Sequence, residues 1–233
     1  MDVHKETIDV FAFSDDDPST VLERRITNQD TSIKKDFKKL LERGSVIACY
    51  EAGCMGFELQ RVLRGMGATC IVAAPGKVPR RPTDRIKTDR RDARRLAEQL
   101  RAGTLEAIYI PTRENEAVRD YLRARDELRI ELAKMKQRLH KFFLRHGHVF
   151  DSTRYWTEKH ERWLHSLQFD TPILKETFDG YYYRIRELEG HLRLMDKRIE
   201  EIALSEPYAE KAQKLRCLKG INYLTALSFV CEV

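Results

Sequence analysis

SVIACYEAGCMGFELQRVLRGMGATCIVAAP, residues 45–75, sets two continuously apolar stretches either side of an amphipathic one. SVIACYE and ATCIVAAP are short and unbroken by polar residues, the pattern of strands buried on both faces. Between them AGCMGFELQRVLRGMG reads as a helix that stops at Gly65 or Gly67. Upstream, VHKETIDVFAFSD alternates apolar and polar residues, with Ile8, Val10 and Ala12 on one side. DDDP at 15–18 is turn chemistry, and VLERRITN reads as the second strand of a hairpin. Asp30 or Thr31 is expected to cap a helix through SIKKDFKKLLERG, whose stripe is Ile33, Phe37, Leu40 and Leu41 and whose stop is Gly44. Downstream come a Pro-rich basic loop and a helix in KTDRRDARRLAEQL, residues 87–100. A hairpin followed by α-β-α-β-α is a mixed α/β domain. No Gly-rich loop follows any strand, which argues against a nucleotide-binding fold.

The chain of 233 residues is 34% charged and 42% hydrophobic, with a net charge of +6. No apolar run approaches the roughly 18 residues of a membrane span. MDVHKETIDV is polar from its second residue, so no signal peptide and no membrane partner are expected. Cys49, Cys54, Cys70, Cys217 and Cys231 form no C-x-x-C pair and read as reduced thiols of a cytoplasmic protein, without a structural zinc site. Residues 77–101 hold ten Lys or Arg against four Asp or Glu, a surplus equal to that of the whole chain. Such a concentrated patch is the footprint of a nucleic-acid surface, with Lys77, Arg80, Arg81, Arg85, Lys87, Arg90, Arg91 and Arg94 as the phosphate-binding candidates. The competing reading is a solvated helix face laced by pairs such as Arg94 with Glu98.

The second half changes character. Val118, Tyr121, Arg125, Leu128, Leu132, Met135, Leu139 and Phe142 step by threes and fours, with Arg125 the one polar position. Tyr181, Ile185, Leu188, Leu192, Met195, Ile199 and Ile202 repeat the pattern without exception. Both are heptad seams, able to pair within a chain or across a dimer. Trp156, Trp163 and Phe169 lie between them and are read as tip packing rather than a base-stacking platform. LRCLKGINYLTALSFVCEV reads as a helix ending at Lys219-Gly220 and a second apolar helix, a corner able to hold a phosphate or simply to pack. Because the sequence ends at Val233 within an apolar element, the chain is expected to be cut short inside a further domain.

Four acidic residues fall where a divalent ion can be gathered. Asp2 lies at the first strand, and Glu51 ends SVIACYE just before Ala52-Gly53. Asp89 and Asp92, at i and i+3, share a helix face. Strand ends on one sheet edge lie close together, and a helix packed there can bring two more carboxylates. Hard oxygen ligands in that number suit Mg2+ or Mn2+. Taken singly, Asp2 reads as a terminal surface residue and Asp89 with Asp92 as an Arg-paired helix surface. Glu51 is different, since a carboxylate closing an apolar strand costs free energy without a partner. In the context of the α/β order, the four together read as a metal site.

DVHKETIDV, YEAG and KTDRRDARRLA resemble the insertion sequence one-ten transposases, the bridge-RNA-guided recombinases with a RuvC-like DEDD domain. The order D…E…D-x-x-D, with a lysine before TDR, carries the resemblance, and LKGINYLTAL resembles the start of that family's transposase domain. The resemblance implies an RNase H-like (RuvC-like) α/β domain over 1–112, a helical coiled coil over 113–210 and a transposase-domain fragment over 211–233. It gives Asp2, Glu51, Asp89 and Asp92 the catalytic metal-ligand roles with Mg2+ or Mn2+. DNA, a guide (bridge) RNA and a further copy of the chain are the implied partners, in a nucleoid-associated cytoplasmic setting. The family's nucleophilic serine lies beyond this chain, Ser228 being too early, so the chain alone is expected to be inactive in strand exchange. Asn222 stands where the hairpin often has glycine, a place Asn tolerates by entering the left-handed region. Two other readings stay open: a stand-alone Mg-dependent RNase H-like nuclease, and a non-catalytic nucleic-acid-binding remnant.

Overall fold

The computed structural model describes residues 1–14, 16–17, 21–77 and 88–232. It divides into two compact units, Met1–Ile110 and Pro111–Val233.

The first unit is mixed α/β. Strands β1 (Asp2–Val3), β2 (Thr7–Phe13) and β3 (Val21–Thr27) form an antiparallel sheet in that order. Strands β4 (Ile47–Glu51) and β5 (Thr69–Ala73) pair in parallel, and helix α2 (Glu58–Gly65) crosses between them. The Met1 nitrogen donates to the Cys49 carbonyl at 2.8 Å, which brings β4 against the outer edge of β1. Residues 106–108 then run back along β5, with Ala74 N–H donating to Glu106 O and Ile108 N–H to Val72 O. Helix α1 (Asp30–Leu41) follows β3, and helix α3 (Asp89–Arg101) packs across β1, β2 and β4.

Strand alternation makes two cores from one set of strands. Ile8, Val10, Ala48, Tyr50 and Val72 point to one face and bury Ile33 and Phe37 of α1 and Leu59 and Leu63 of α2. Residues of the opposite phase, Phe11, Cys49 and Ala73, meet Ala93, Leu96 and Ala97 of α3. Two local expectations differ from what forms. The N-cap of α1 is Gln29, with no side-chain cap bond, so Asp30 is already in the first helical turn, where its charge suits the helix dipole. Residues 54–57 form a turn before α2 begins, and Gly56 in it adopts a φ of 62°, outside the helical pattern.

The second unit is helical: α4 (Arg113–Arg145), α5 (Glu158–Ser166), α6 (Pro172–Ala203), α7 (Ala209–Arg216) and α8 (Tyr223–Glu232). Helices α4 and α6 run antiparallel. Val118 near the start of α4 packs with Ile199 and Ala203 near the end of α6, while Leu139 and Phe142 pack with Phe178 and Ile185. The single polar seam position is accounted for: Arg125 forks onto Asp196 of α6 at 2.7 and 3.2 Å. Trp156, Trp163 and Phe169 pack on the aromatic tip around Phe142, Phe143 and Phe178. Threonines cap three of these helices: Thr112, Thr157 and Thr171 accept from Asn115, His160 and Leu174 N–H.

Helices α7 and α8 pack on each other and on α6. The left-handed residue of their corner is Gly220, with φ 89°. Asn222 is not left-handed; its Oδ1 accepts from Thr225 N–H at 2.8 Å and starts α8. Buried Arg119 donates to the Cys231 carbonyl at 2.6 Å, joined by Asn115 at 3.2 Å, so α4 side chains satisfy the end of α8. The Ser228 hydroxyl is turned into its own helix, donating to Leu224 O at 2.8 Å. Among the described residues, no helix is long and apolar enough to cross a membrane.

Candidate metal centre

The α3 face of the sheet carries the acidic residues. Asp2 of β1 stands opposite Asp9 of β2, and Asp9 stands opposite Arg25 of β3, so the three form one rung across the sheet. Directly opposed residues of an antiparallel pair project from the same face. Asp9 is 2% exposed. Its carboxylate is gripped by Arg25, with Nε at 3.1 and 3.0 Å and Nη2 at 2.8 Å. That hydrogen bonding, then the charge of Asp9, with a smaller part from Asp89, holds the Arg25 guanidinium above its usual pKa.

Helix α3 delivers Asp89 to the same place. Thr88 caps the helix by accepting from Arg91 N–H at 3.4 Å, so Asp89 is its first residue. Asp89 and Asp92 both lie in the first turn, where the exposed N–H groups favour negative charge. That offsets part of the repulsion between them. Arginines offset the rest: Arg25 Nη2 lies 2.9 Å from Asp89 Oδ2, and Arg95 Nη2 lies 2.9 Å from Asp92 Oδ1.

His4 completes the cluster. Its Nε2 is 3.3 Å from Asp2 Oδ2 and 3.4 Å from Asp89 Oδ1. Among the described residues, Asp2, His4 and Asp89 are the group whose donor atoms all lie within 4.8 Å of one another. Two carboxylates and an imidazole in that space have the chemistry to hold a divalent cation. Asp92, 8% exposed and paired to Arg95, lies outside this group. Glu51 also lies outside it. As the last residue of β4 it has the phase of Cys49, whose side chain meets α3. His4 and Asp9 were not among the candidates from sequence. Asp9 had a signal, a carboxylate inside the apolar run TIDVFAF. His4 had only its place two residues after Asp2.

The basic candidates fall in two groups. Arg80, Arg81, Arg85 and Lys87 lie outside the described residues, and of Lys77 the backbone ends a short 3-10 turn, Pro75–Lys77. Arg90, Arg91 and Arg94 project from α3 and are exposed. Arg90 lies 3.6 Å from Glu23. Arg94 meets Glu98 at 2.9 Å and also stands over the Phe11 ring.

Comparison with known proteins gives the same chain a lineage. The family model of DEDD transposases of the IS110 type, described as a transposase, matches residues 1–147. The transposase for insertion sequence element IS1533 of Leptospira borgpetersenii is 48% identical over 236 aligned positions, which cover 100% of this chain and 68% of that protein. The protein y4qE of Sinorhizobium fredii, named as a candidate transposase, is 36% identical over 205 positions, 88% of this chain and 49% of that protein. The match takes in the whole of the first unit with its sheet-edge carboxylates and continues through α4, and on that extent of likeness the chain belongs to the IS110-type DEDD transposase family.

Proposed function

We propose that this chain is the metal-binding and DNA-binding part of an insertion-sequence transposase that cuts and exchanges DNA strands under the direction of a guide RNA. The observation that carries the reading is the meeting of Asp2 from the first strand with Asp89 from the start of α3, residues far apart in sequence. Family membership supports it. In this reading residues 1–112 are an RNase H-like (RuvC-like) domain, 113–210 a coiled-coil region and 211–233 the start of the transposase domain.

Asp2, Glu51, Asp89 and Asp92 are the residues assigned to divalent metal, Mg2+ or Mn2+. Bound there, such an ion would polarise a phosphate and stabilise charge on a leaving oxygen. The protein's own part is positional. The β1–β2–β3 rung holds Asp2, the Thr88 cap and Arg25 hold Asp89, and arginines along α3 hold the phosphates of the strand. The covalent nucleophile of strand exchange is assigned to a serine beyond residue 233, the Ser228 hydroxyl being committed to its helix. A homo-oligomer and a nucleoid-associated setting complete the proposal.

The test is metal binding and DNA binding on the purified chain. Isothermal titration with Mn2+ should give saturable binding that Asp2→Ala and Asp89→Ala each weaken at least about tenfold. Labelled duplex DNA should bind with steep salt dependence, and a structured RNA should copurify from cells carrying the complete element. A chain that binds neither metal nor nucleic acid would refute the reading.

A further inference from the structure

We propose that the imidazole of His4 is a direct ligand of the centre beside Asp2 and Asp89, so that the site joins one nitrogen to its carboxylate oxygens and takes Mn2+ in preference to Mg2+. The inference rests on the metal reading above and adds to it a ligand type that an all-carboxylate set lacks.

Three observations carry it. The first is spacing. Neighbouring ligands of an octahedral ion with bonds of about 2.1 Å stand about 3 Å apart. Nε2 of His4 lies 3.3 Å from Asp2 Oδ2 and 3.4 Å from Asp89 Oδ1, so a small inward movement of each would suffice.

The second is anchoring. His4 is not a loose residue near two acids. Its N–H donates to Thr7 O at 2.8 Å, and its carbonyl accepts from Asn28 Nδ2 at 2.8 Å. Asn28 N–H in turn donates to Glu6 O at 2.9 Å. The turn from β1 to β2 is thereby tied to the end of β3, and the backbone that carries the imidazole is held at both its polar groups. Binding sites depend on this kind of support for their ligands.

The third is the division of labour at Asp89. Arg25 occupies Oδ2 at 2.9 Å and leaves Oδ1 as the oxygen beside His4. The same guanidinium neutralises buried Asp9, directly across the strand from Asp2. Asp9 is thus satisfied by Arg25, and the oxygens facing His4 are those of Asp2 and Asp89. Imidazole nitrogen binds first-row transition ions better than Mg2+, which prefers oxygen and holds its waters; among them Mn2+ binds nitrogen least strongly but still accepts it beside carboxylates.

The test is pulsed electron paramagnetic resonance on the whole chain loaded with Mn2+, read for coupling to a directly bound nitrogen. His4 is the sole histidine of residues 1–110, so the comparison is with His4→Gln. Wild-type protein should show the nitrogen coupling and His4→Gln should lose it while still binding Mn2+. Titration should show the Mn2+ affinity of His4→Gln reduced at least about tenfold and its Mg2+ affinity changed less. An unchanged thermal melt of the metal-free variant confirms that it folds. Mn2+ bound to wild-type protein without nitrogen coupling would overturn the His4 ligand and leave the carboxylate site standing. Coupling that persists in His4→Gln would overturn it equally. No Mn2+ binding by either protein would overturn both this inference and the metal reading beneath it.

Discussion

Asp9 sits inside TIDVFAF with Ile8 and Val10 buried on either side, and its carboxylate is closed off from water except through Arg25. The two partners are unequal. Arg25 is about half exposed, its side chain at 49%, so it can be solvated when left alone, while Asp9 cannot. Arg25→Ala should therefore lower the urea midpoint more than Asp9→Ala, and the double variant should recover part of the loss. The reverse ranking would contradict a buried Asp9 that depends on Arg25. A second expectation concerns the thiols. Burial pushes Cys70 up to about 12, helped by the neighbouring charge of Cys49, and burial pushes Cys231 up to about 11. Cys54 and Cys217 are exposed. Iodoacetamide at pH 8 should modify Cys54 and Cys217 in native protein and all five thiols in urea, since a thiol at 12 is ionised to about one part in ten thousand there. The sign with pH follows. The unfolded chain gives up the Cys70 proton above about pH 9 and the folded one keeps it to about 12, so Cys70 stabilises fully below that window and loses its contribution through it. The fall in stability from pH 9 to 11 should be shallower in Cys70→Ala than in wild type. At this scale the sequence singled out Asp2 by its place at the first strand and Asp89 by the helix face it shares with Asp92. It could not announce the rung of Asp2, Asp9 and Arg25, because cross-strand register is decided by how the hairpin closes.

Helices α4 and α6 were legible as a pair because seam residues recur at threes and fours whatever they face. Their partnership within one chain was not, since a dimer would show the same periodicity. The structure pairs them through buried side chains, with Leu139 and Ile185 fully enclosed, and through cross-helix ion pairs such as Lys136 with Glu189 at 2.6 Å. These contribute differently. Ile185→Ala should cost about 2–5 kcal/mol by chemical denaturation, because it opens a cavity in the tip core. Lys136→Ala should cost about 1 kcal/mol, because Glu189 keeps its second partner, Arg186 at 2.7 Å. Comparable losses at both positions would mean that the seam is not the source of the pairing. Helix ends were the least legible part. Thr112, Thr157 and Thr171 act as caps only once the chain enters each helix in an extended conformation, and Gln29 occupies a cap position for which its type gives no signal.

Across the molecule, charge and fold are distributed unequally. The basic surplus lies in residues 77–101, which include the start of α3 beside the acidic centre. A DNA strand held there would be kept close to the carboxylates by charges of opposite sign to its own. Replacing Arg90 and Arg91 by Ala should weaken duplex binding and lower the slope of log affinity against log salt by about 0.9 for each phosphate no longer neutralised. An unchanged slope would put the phosphates elsewhere. The two compact units also have separate cores, one built on strands and one wholly helical. Expressed apart, residues 111–233 should give a strongly helical circular dichroism spectrum and a cooperative melt of their own. Mixed α/β order was readable from the alternation of strand and helix patterns. The return of residues 106–108 along β5 was not, because that segment pairs by position and carries no strand pattern of its own.

Strand β2 sends Ile8 and Val10 into one core and Asp9 and Phe11 toward the other. Within β2 the acidic face is therefore keyed to odd positions and the α1–α2 core to even ones. Loss or gain of a single residue within β2 would exchange oil for acid along the rest of the strand, while a change of two would leave each side chain on its own face. The centre is guarded by parity. A one-residue insertion inside this strand should therefore disturb both faces unless a bulge absorbs it, and a two-residue insertion should leave each face with its own side chains.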